Sequence, residues 1–142
     1  DDGTLTEGAL KMWHSHLVGA TSAIRRSIAY DPQTGQKLKD SGFTDIREEV
    51  YKLPYNGWPT DRKDHKVGLW YHIALSEGHN DTGGYGMEAM SLAPLARIYE
   101  WPVDHVRKFI SDALQQVSDT NVHAYNRLHV WTARAPYPNE PQ

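Results

Sequence analysis

The spacing of apolar residues predicts an amphipathic helix near the start of the chain. Between residues 5 and 28, apolar side chains recur every three or four positions, which is the period of one helix face. These positions are Leu10, Trp13, Leu17, Ala20, Ile24 and Ile28. The preceding Thr4-Leu5-Thr6-Glu7 fits a capping box, so we expect Thr4 to begin the helix and Glu7 to reach back to it.

A short helix and two strands are also predicted from the pattern. Residues 34–41 favour a short helix, and Gly42 is expected to end it in the left-handed conformation. Alternation over residues 43–53 predicts a strand, and the charged run Arg47-Glu48-Glu49 places that strand near a sheet edge. A second alternating stretch predicts a strand over residues 121–133.

Helical segments separate the two predicted strands. The first covers residues 62–76, and a glycine-rich loop over 79–86 divides it from a second helix over 87–99. A third helix opens at Pro102, because proline suits the first helical position. We predict that one set of side chains forms the inner face of the first of these helices: Val67, Trp70, Tyr71, Ala74 and Leu75.

The two strands need a partner, since a stable sheet normally has three or more strands. We therefore expect them to pair with each other or with strands that lie elsewhere. The chain is interpreted as one domain over residues 1–136, followed by a tail over 137–142. It begins with Asp1 rather than methionine, which suggests a processed chain or a fragment that joins a missing half or an oligomer mate.

Composition excludes several classes of function. The net charge is -3 and no basic stripe is present, so nucleic-acid binding is not expected. No run approaches the ~18 apolar residues of a membrane span. The chain has no cysteine, which excludes disulfides and cysteine-ligated zinc. Its eight histidines form no HExxH motif or dense cluster with carboxylates, so no metal site is predicted.

Several short tracts carry a resemblance to a known family. They are the aromatic turn within residues 49–59, Gly68-Leu69-Trp70, Tyr99-Glu100-Trp101 and His123-Ala124-Tyr125. In this order they resemble the C-terminal part of the LaeA-like branch of fungal class I S-adenosylmethionine-dependent methyltransferases. The resemblance implies an α/β, Rossmann-like fold in which the two strands are the last, antiparallel pair. It also implies that residues 60–118 form a lid over the acceptor pocket.

The cofactor is expected to bind outside this chain. The family implies S-adenosylmethionine, but no glycine-rich nucleotide loop is present. The run Gly83-Gly84-Tyr85-Gly86 follows no strand and lacks the GxGxxG spacing. No cofactor-binding residue is therefore assigned, and the glycine-rich lid loop indicates a remodelled acceptor pocket or another activity on the same fold.

Aromatic residues are the principal candidates for the site. We predict that a pocket for a flat substrate is lined by Tyr51, Tyr55, Trp58, Trp70 and Tyr71. The alternative is that residues 55–59 form only a packed turn. His72 is the candidate general base, with an exposed lid histidine as the alternative. His123 is expected to make a structural hydrogen bond to a neighbouring backbone group.

These features lead to three hypotheses for the whole protein. The first is methyl transfer to a small secondary metabolite in the cytoplasm or nucleus. The second is a cyclase or pericyclase on the methyltransferase fold that transfers no methyl group. The third is a regulatory partner without enzymatic activity. The sequence alone does not name the substrate or the methylated atom.

Overall fold

The computed structural model describes residues 2–5, 7–76 and 86–136. Its helices are α1 (Ala9–Ala23), α2 (Thr34–Asp40), α3 (Arg62–Ser76), α4 (Met87–Ile98) and α5 (Val103–Ser118), and its strands are β1 (Thr44–Pro54) and β2 (Tyr125–Arg134). The described chain is thus of the α/β class. Residues 79–85 of the predicted loop and the tail over 137–142 lie outside the described residues.

The chain divides into two compact units. The first, the helical unit, comprises Asp1–Ile28 and Leu53–Asn126. The second, the strand unit, comprises Ala29–Lys52 and Arg127–Gln142. The division falls inside both strands. No helix in the described ranges is long and apolar enough to cross a bilayer.

The core of the helical unit is built around α5, which packs on α1, α3 and α4. Its buried stripe follows the helical period and consists of Val106, Ile110, Ala113, Leu114 and Val117. The facing stripe of α1 consists of Leu10, Trp13, Leu17 and Ala20. Burial of these side chains is the main source of stability in this unit.

The predicted capping box at the start of α1 is wrong. The helix begins at Ala9, and no side chain caps it from the flanking Gly8. Thr4 lies upstream of the helix, where its hydroxyl donates to Asp2 Oδ1 at 2.8 Å. The helix also ends earlier than predicted, at Ala23, and Ile28 beyond it is exposed.

A side chain of α5 makes the capping hydrogen bond at the start of α1 instead. Gln116 Oε1 accepts a hydrogen bond from Leu10 N at 2.9 Å, which pairs one of the free amide groups of the first helical turn. Gly8 leaves room for this amide, because a Cβ atom there would lie 2.8 Å from Gln116 Oε1. Local sequence patterns do not reveal a cap that comes from so far along the chain.

The two strands pair with each other in an antiparallel sheet. Tyr55 N donates to Ala124 O at 3.1 Å, whereas Asp45 and Arg134 form an ion pair at 3.0 Å. Residue numbers therefore rise along one strand as they fall along the other, which is the antiparallel arrangement.

The predicted end of α2 at Gly42 is confirmed. Gly42 has a φ of 86°, and its amide donates to Lys39 O at 3.0 Å. Phe43 N donates to Leu38 O at 3.1 Å. These two bonds form a Schellman motif, in which a left-handed glycine pairs the last carbonyl groups of the helix.

The predicted inner face of α3 is wrong for Trp70, which is 72% exposed, and for Ala74, which is also exposed. The residue at the centre of the contact is Gly68, which is buried against the backbone of Asn56. Residues two positions apart on a helix diverge by about 200°, so Trp70 points away from that contact. The hydrophobic pattern missed Gly68 because a glycine has no side chain to mark a buried face.

Candidate functional site

The aromatic turn between β1 and α3 is anchored by Asn56, which is 3% exposed. Its Nδ2 group donates to Val117 O at 2.8 Å and to Asp119 O at 3.1 Å. Its Oδ1 atom accepts from Trp58 N at 2.9 Å. One side-chain amide therefore pairs carbonyl groups at the end of α5 and also fixes the path of the turn.

Trp58 forms a stacked pair with His123. The ring centroids are 4.6 Å apart with an interplanar angle of 19°, and Trp58 Nε1 donates to Ala124 O at 3.1 Å. The predicted backbone partner of the His123 ring is wrong, because His123 Nδ1 binds the carboxylate of Asp2. Hydrogen bonds from Thr4 and then from His123 hold the pKa of Asp2 well below its usual range.

Tyr55, Tyr71 and Asn126 form a second group, the tyrosine–asparagine cluster. Tyr55 Oη donates to Asn126 Oδ1 at 3.1 Å, and Asn126 Nδ2 donates to Tyr71 Oη at 3.0 Å. The two phenol rings lie 5.4 Å apart. Burial, with a smaller contribution from Tyr71, raises the pKa of Tyr55 to about 12, and burial also raises the pKa of Tyr71.

The internal hydrogen bonds of this cluster use only one of its two hydroxyl hydrogens. The Tyr55 hydroxyl donates its hydrogen to Asn126, whereas Tyr71 Oη accepts a hydrogen bond from the Asn126 amide. The Tyr71 hydroxyl hydrogen can therefore be donated to another acceptor. Phenols are neutral at physiological pH, and burial moves the pKa values of Tyr55 and Tyr71 further above it, so the cluster offers a hydrogen-bond donor rather than a base.

His72 follows Tyr71 on α3 and is half-buried. Its Nδ1 atom is buried and has no hydrogen-bond partner among the described residues. Most buried polar atoms in native structures are hydrogen-bonded, so this nitrogen is a candidate ligand contact. Its role as a general base stays a prediction.

Trp70 and Tyr51 were also predicted to line the site, but they do not join the tyrosine–asparagine cluster. Trp70 is on the exposed side of the helix. Tyr51 belongs to the strand unit, where it is 47% exposed and its hydroxyl binds Glu49. The helical unit therefore contains Tyr55, Trp58 and Tyr71 within one region, while the binding roles of Trp70 and Tyr51 stay predictions.

Two asparagines were not predicted from the sequence. Asn56 and Asn126 make the side-chain hydrogen bonds that order the aromatic residues. The signal available for Asn56 was its position inside a Pro/Gly turn, where asparagine often binds nearby backbone groups. No comparable local signal marks Asn126, which lies in a strand pattern.

The described residues do not form a site for a metal or for S-adenosylmethionine. Within residues 2–5, 7–76 and 86–136, no three His, Cys, Asp or Glu side chains converge on a possible metal position. In doubly wound folds, the cofactor lies at the carboxyl ends of parallel strands beside a glycine-rich turn. The described strands are antiparallel and no such turn joins a strand to a helix there.

We predict that ionisation of Tyr55 destabilises the fold in alkaline solution. The pKa of this phenol is raised from 10.0 to about 12, so stability from its neutral form is present below pH 10. That stability should be lost as the pH rises from about 10 to about 12. Urea unfolding across this range tests the prediction, and Tyr55→Phe should flatten the loss. An equally steep loss in Tyr55→Phe would contradict it.

Comparison with known proteins identifies a group of relatives. No family model matches the chain, and no solved structure matches it significantly. The secondary metabolism regulator LAE1 of Cochliobolus heterostrophus is 40% identical over 138 residues, which cover 96% of this chain and 42% of that protein. The chain is related to the LaeA-like fungal proteins. The resemblance stated from the sequence is therefore confirmed.

Further LaeA-like relatives extend the match. The protein-methionine methyltransferase laeA of Emericella nidulans is 36% identical over 137 residues, with 96% of this chain and 34% of that protein covered. The secondary metabolism regulator laeA of Monascus pilosus is 35% identical over 140 residues, with 98% and 36% covered. The chain thus spans well under half of the length of these LaeA-like relatives.

Proposed function

We propose that this chain is part of a LaeA-like regulator of fungal secondary metabolism with a class I, S-adenosylmethionine-dependent methyltransferase fold. The observation that carries the proposal is the relation to LaeA-like proteins over 96–98% of the chain. In this interpretation, β1 and β2 are the last two strands of a Rossmann-like sheet. Residues 60–118 form the lid on the acceptor side, and the cofactor is held by residues outside this chain.

The proposed methyl acceptor is a methionine side chain of a protein. The support is the relation to the Emericella nidulans laeA protein, which is named a protein-methionine methyltransferase. The second candidate is a hydroxyl group of a small secondary metabolite. The tyrosine–asparagine cluster favours this candidate, because Tyr71 can donate to a polar group of a bound ligand.

A labelling experiment on the longer protein that carries this chain tests the proposal. The protein is incubated with methyl-labelled S-adenosylmethionine, with and without a fungal protein extract and a metabolite extract. We expect label in the protein fraction, at methionine. Label confined to the metabolites would support the second candidate. Conversion of a metabolite without label would support the cyclase hypothesis, and neither labelling nor conversion would support a regulator without enzymatic activity.

Replacement of His72 distinguishes the two acceptor classes. A thioether has no proton to lose, whereas a hydroxyl acceptor needs a base, and general-base catalysis contributes roughly 10²–10⁴-fold. We expect His72→Ala to change protein methylation by no more than a few-fold. His14→Ala, which alters an exposed histidine of α1, is the matched control. If His72→Ala lowered the methylation rate by about 100-fold while His14→Ala did not, the acceptor would be a hydroxyl group.

A further inference from the structure

The outer face of helix α3, opposite its packed inner face, has a charged half and an apolar half. The inner face packs through Gly68, Tyr71 and Leu75. The outer face is cationic over the first half of the helix and apolar over the second. Its cationic residues are Arg62, Lys63 and Lys66, and its apolar residues are Leu69, Trp70 and Ile73.

The apolar half of this outer face is unusually exposed for large side chains. Trp70 is 72% exposed, Leu69 45% and Ile73 38%. With Lys66 they occupy positions i, i+3, i+4 and i+7, so the side chains form one stripe. A helix that has apolar residues on two opposite sides is typically packed against other protein segments on both of those sides. The described residues cover the inner side of α3 at Gly68 and also approach Leu69, whose Cδ2 atom would lie 2.9 Å from a Cβ atom added to Gly57. Trp70 is therefore the most exposed side chain of the stripe.

Close packing of the inner face holds the outer stripe in place. A Cβ atom on Gly68 would lie 2.8 Å from the carbonyl carbon of Asn56 and 3.2 Å from Pro54 Cβ. The backbone of α3 therefore lies directly against the backbone of the aromatic turn. This contact fixes the rotation of α3 about its axis, so Trp70, two positions from Gly68, leaves the helix on the side away from the turn.

We propose that the outer face of α3 binds an amphipathic helical segment of another protein. The segment would place apolar residues against Leu69, Trp70 and Ile73 and acidic residues against the cationic half of α3. Charge complementarity carries this choice, since Arg62, Lys63 and Lys66 share this side of α3. Asp64, two positions from both Arg62 and Lys66, lies on the opposite side of the helix. Tryptophan is also one of the residue types that dominate the binding energy of protein interfaces.

The length of the apolar half argues against a membrane surface as the occupant. Leu69 and Ile73 are four residues apart, which is about 6 Å along the helix axis. Interfacial helices bind bilayers through an apolar face that runs along much of their length. One turn of apolar side chains is better matched to a single hydrophobic position of a protein partner.

A designed peptide tests this proposal on the longer protein that carries the chain. The probe is a fluorescein-labelled 18-residue helix with leucines at i, i+3, i+4 and i+7 and four glutamates at the end that meets Lys63 and Lys66. We expect its anisotropy to rise on titration and Trp70→Ala to weaken binding about tenfold or more. Joint Lys63→Glu and Lys66→Glu changes should weaken binding similarly and remove its salt sensitivity.

Matched controls distinguish binding at this surface from non-specific peptide binding. Val103→Ala alters a residue of α5 that is 42% exposed and should leave peptide binding unchanged. A peptide with lysines in place of glutamates should bind at least tenfold more weakly. Because Trp70 is exposed, Trp70→Ala should melt close to the wild type, which makes its binding result interpretable.

Three outcomes would overturn the proposal. Equal peptide binding by the wild type and Trp70→Ala would exclude α3 as the docking face. Binding to vesicles of seven parts phosphatidylcholine to three parts phosphatidylserine, without peptide binding, would show a membrane surface instead. Failure of a Trp70→Cys variant to react with maleimide at position 70 would show that the rest of the same polypeptide covers the face. None of these outcomes bears on methyl transfer.

Discussion

Replacing Gly68 with alanine is expected to lower the free energy of unfolding by about 3 kcal/mol. The new Cβ atom would overlap Asn56 O, lie 2.8 Å from the carbonyl carbon of Asn56 and lie 3.2 Å from Pro54 Cβ. Real Cβ atoms do not approach backbone this closely. The helix must therefore move away from the aromatic turn, and the packing of α3 loosens.

Two effects of this substitution oppose each other. Alanine favours a helix interior over glycine by about 1 kcal/mol, which would stabilise α3. The steric conflict is larger, because the obstructing atoms belong to the backbone of a turn that Asn56 fixes to the end of α5. Backbone that is held in this way cannot rotate aside, so we expect the destabilising effect to dominate.

Gly19→Ala provides the matched control for this prediction. Gly19 also lies inside a helix, and its added Cβ would press on the hydroxyl end of Tyr99. A side-chain tip can shift by a small rotation, so the loss should be clearly smaller than for Gly68→Ala. Urea unfolding monitored by tryptophan fluorescence measures both. Equal or higher stability of Gly68→Ala relative to the wild type would refute the close approach of α3 to the turn.

Periodicity predicted the elements better than it predicted their faces. The bounds of α3 were predicted correctly, and the predicted apolar positions of α1 from Leu10 to Ala20 are buried. Both results depend on local spacing. The face of α3 was misassigned because the buried contact is made by Gly68, and an aromatic residue such as Trp70 was taken as the marker of the core.

The prediction of the candidate site was incomplete for a related reason. Aromatic residues in a Pro/Gly turn are visible in the sequence, and Tyr55 and Tyr71 do lie together. The amides that order them are not visible, because Asn56 and Asn126 act through partners that are about 55 to 71 residues away. Such bonds depend on the tertiary fold, which no local pattern specifies.

Asn56→Ala is the second substitution with a large expected effect. It would leave Val117 O without this donor and Trp58 N without its acceptor, whereas Asp119 O would keep its bond from Val122 N. A buried polar group that loses its partner costs about 1–3 kcal/mol. Water can reach the Asp119 side of this site, so we expect a total loss of about 3 kcal/mol rather than the full sum.

A carboxylate at this position should be at least as harmful as alanine. Asn56→Asp would still accept from Trp58 N, but it would place a negative charge against two carbonyl oxygens. Those oxygens lie at the end of α5, where the helix dipole already concentrates negative charge. Asn121→Ala, which alters an exposed amide bonded to the nearby Asp119, is the control and should change stability by under about 0.5 kcal/mol.

The comparison of these variants tests how the aromatic turn is held. If Asn56 joins the turn to α5, Asn56→Ala and Gly68→Ala disturb one contact region and their effects should not add. The double variant should then lose less stability than the sum of the single losses. Strict additivity, or a loss for Asn56→Ala no larger than that for Asn121→Ala, would contradict the role of Asn56. The turn would then be held by Trp58 instead, through its hydrogen bond to Ala124 O and its stacking on His123.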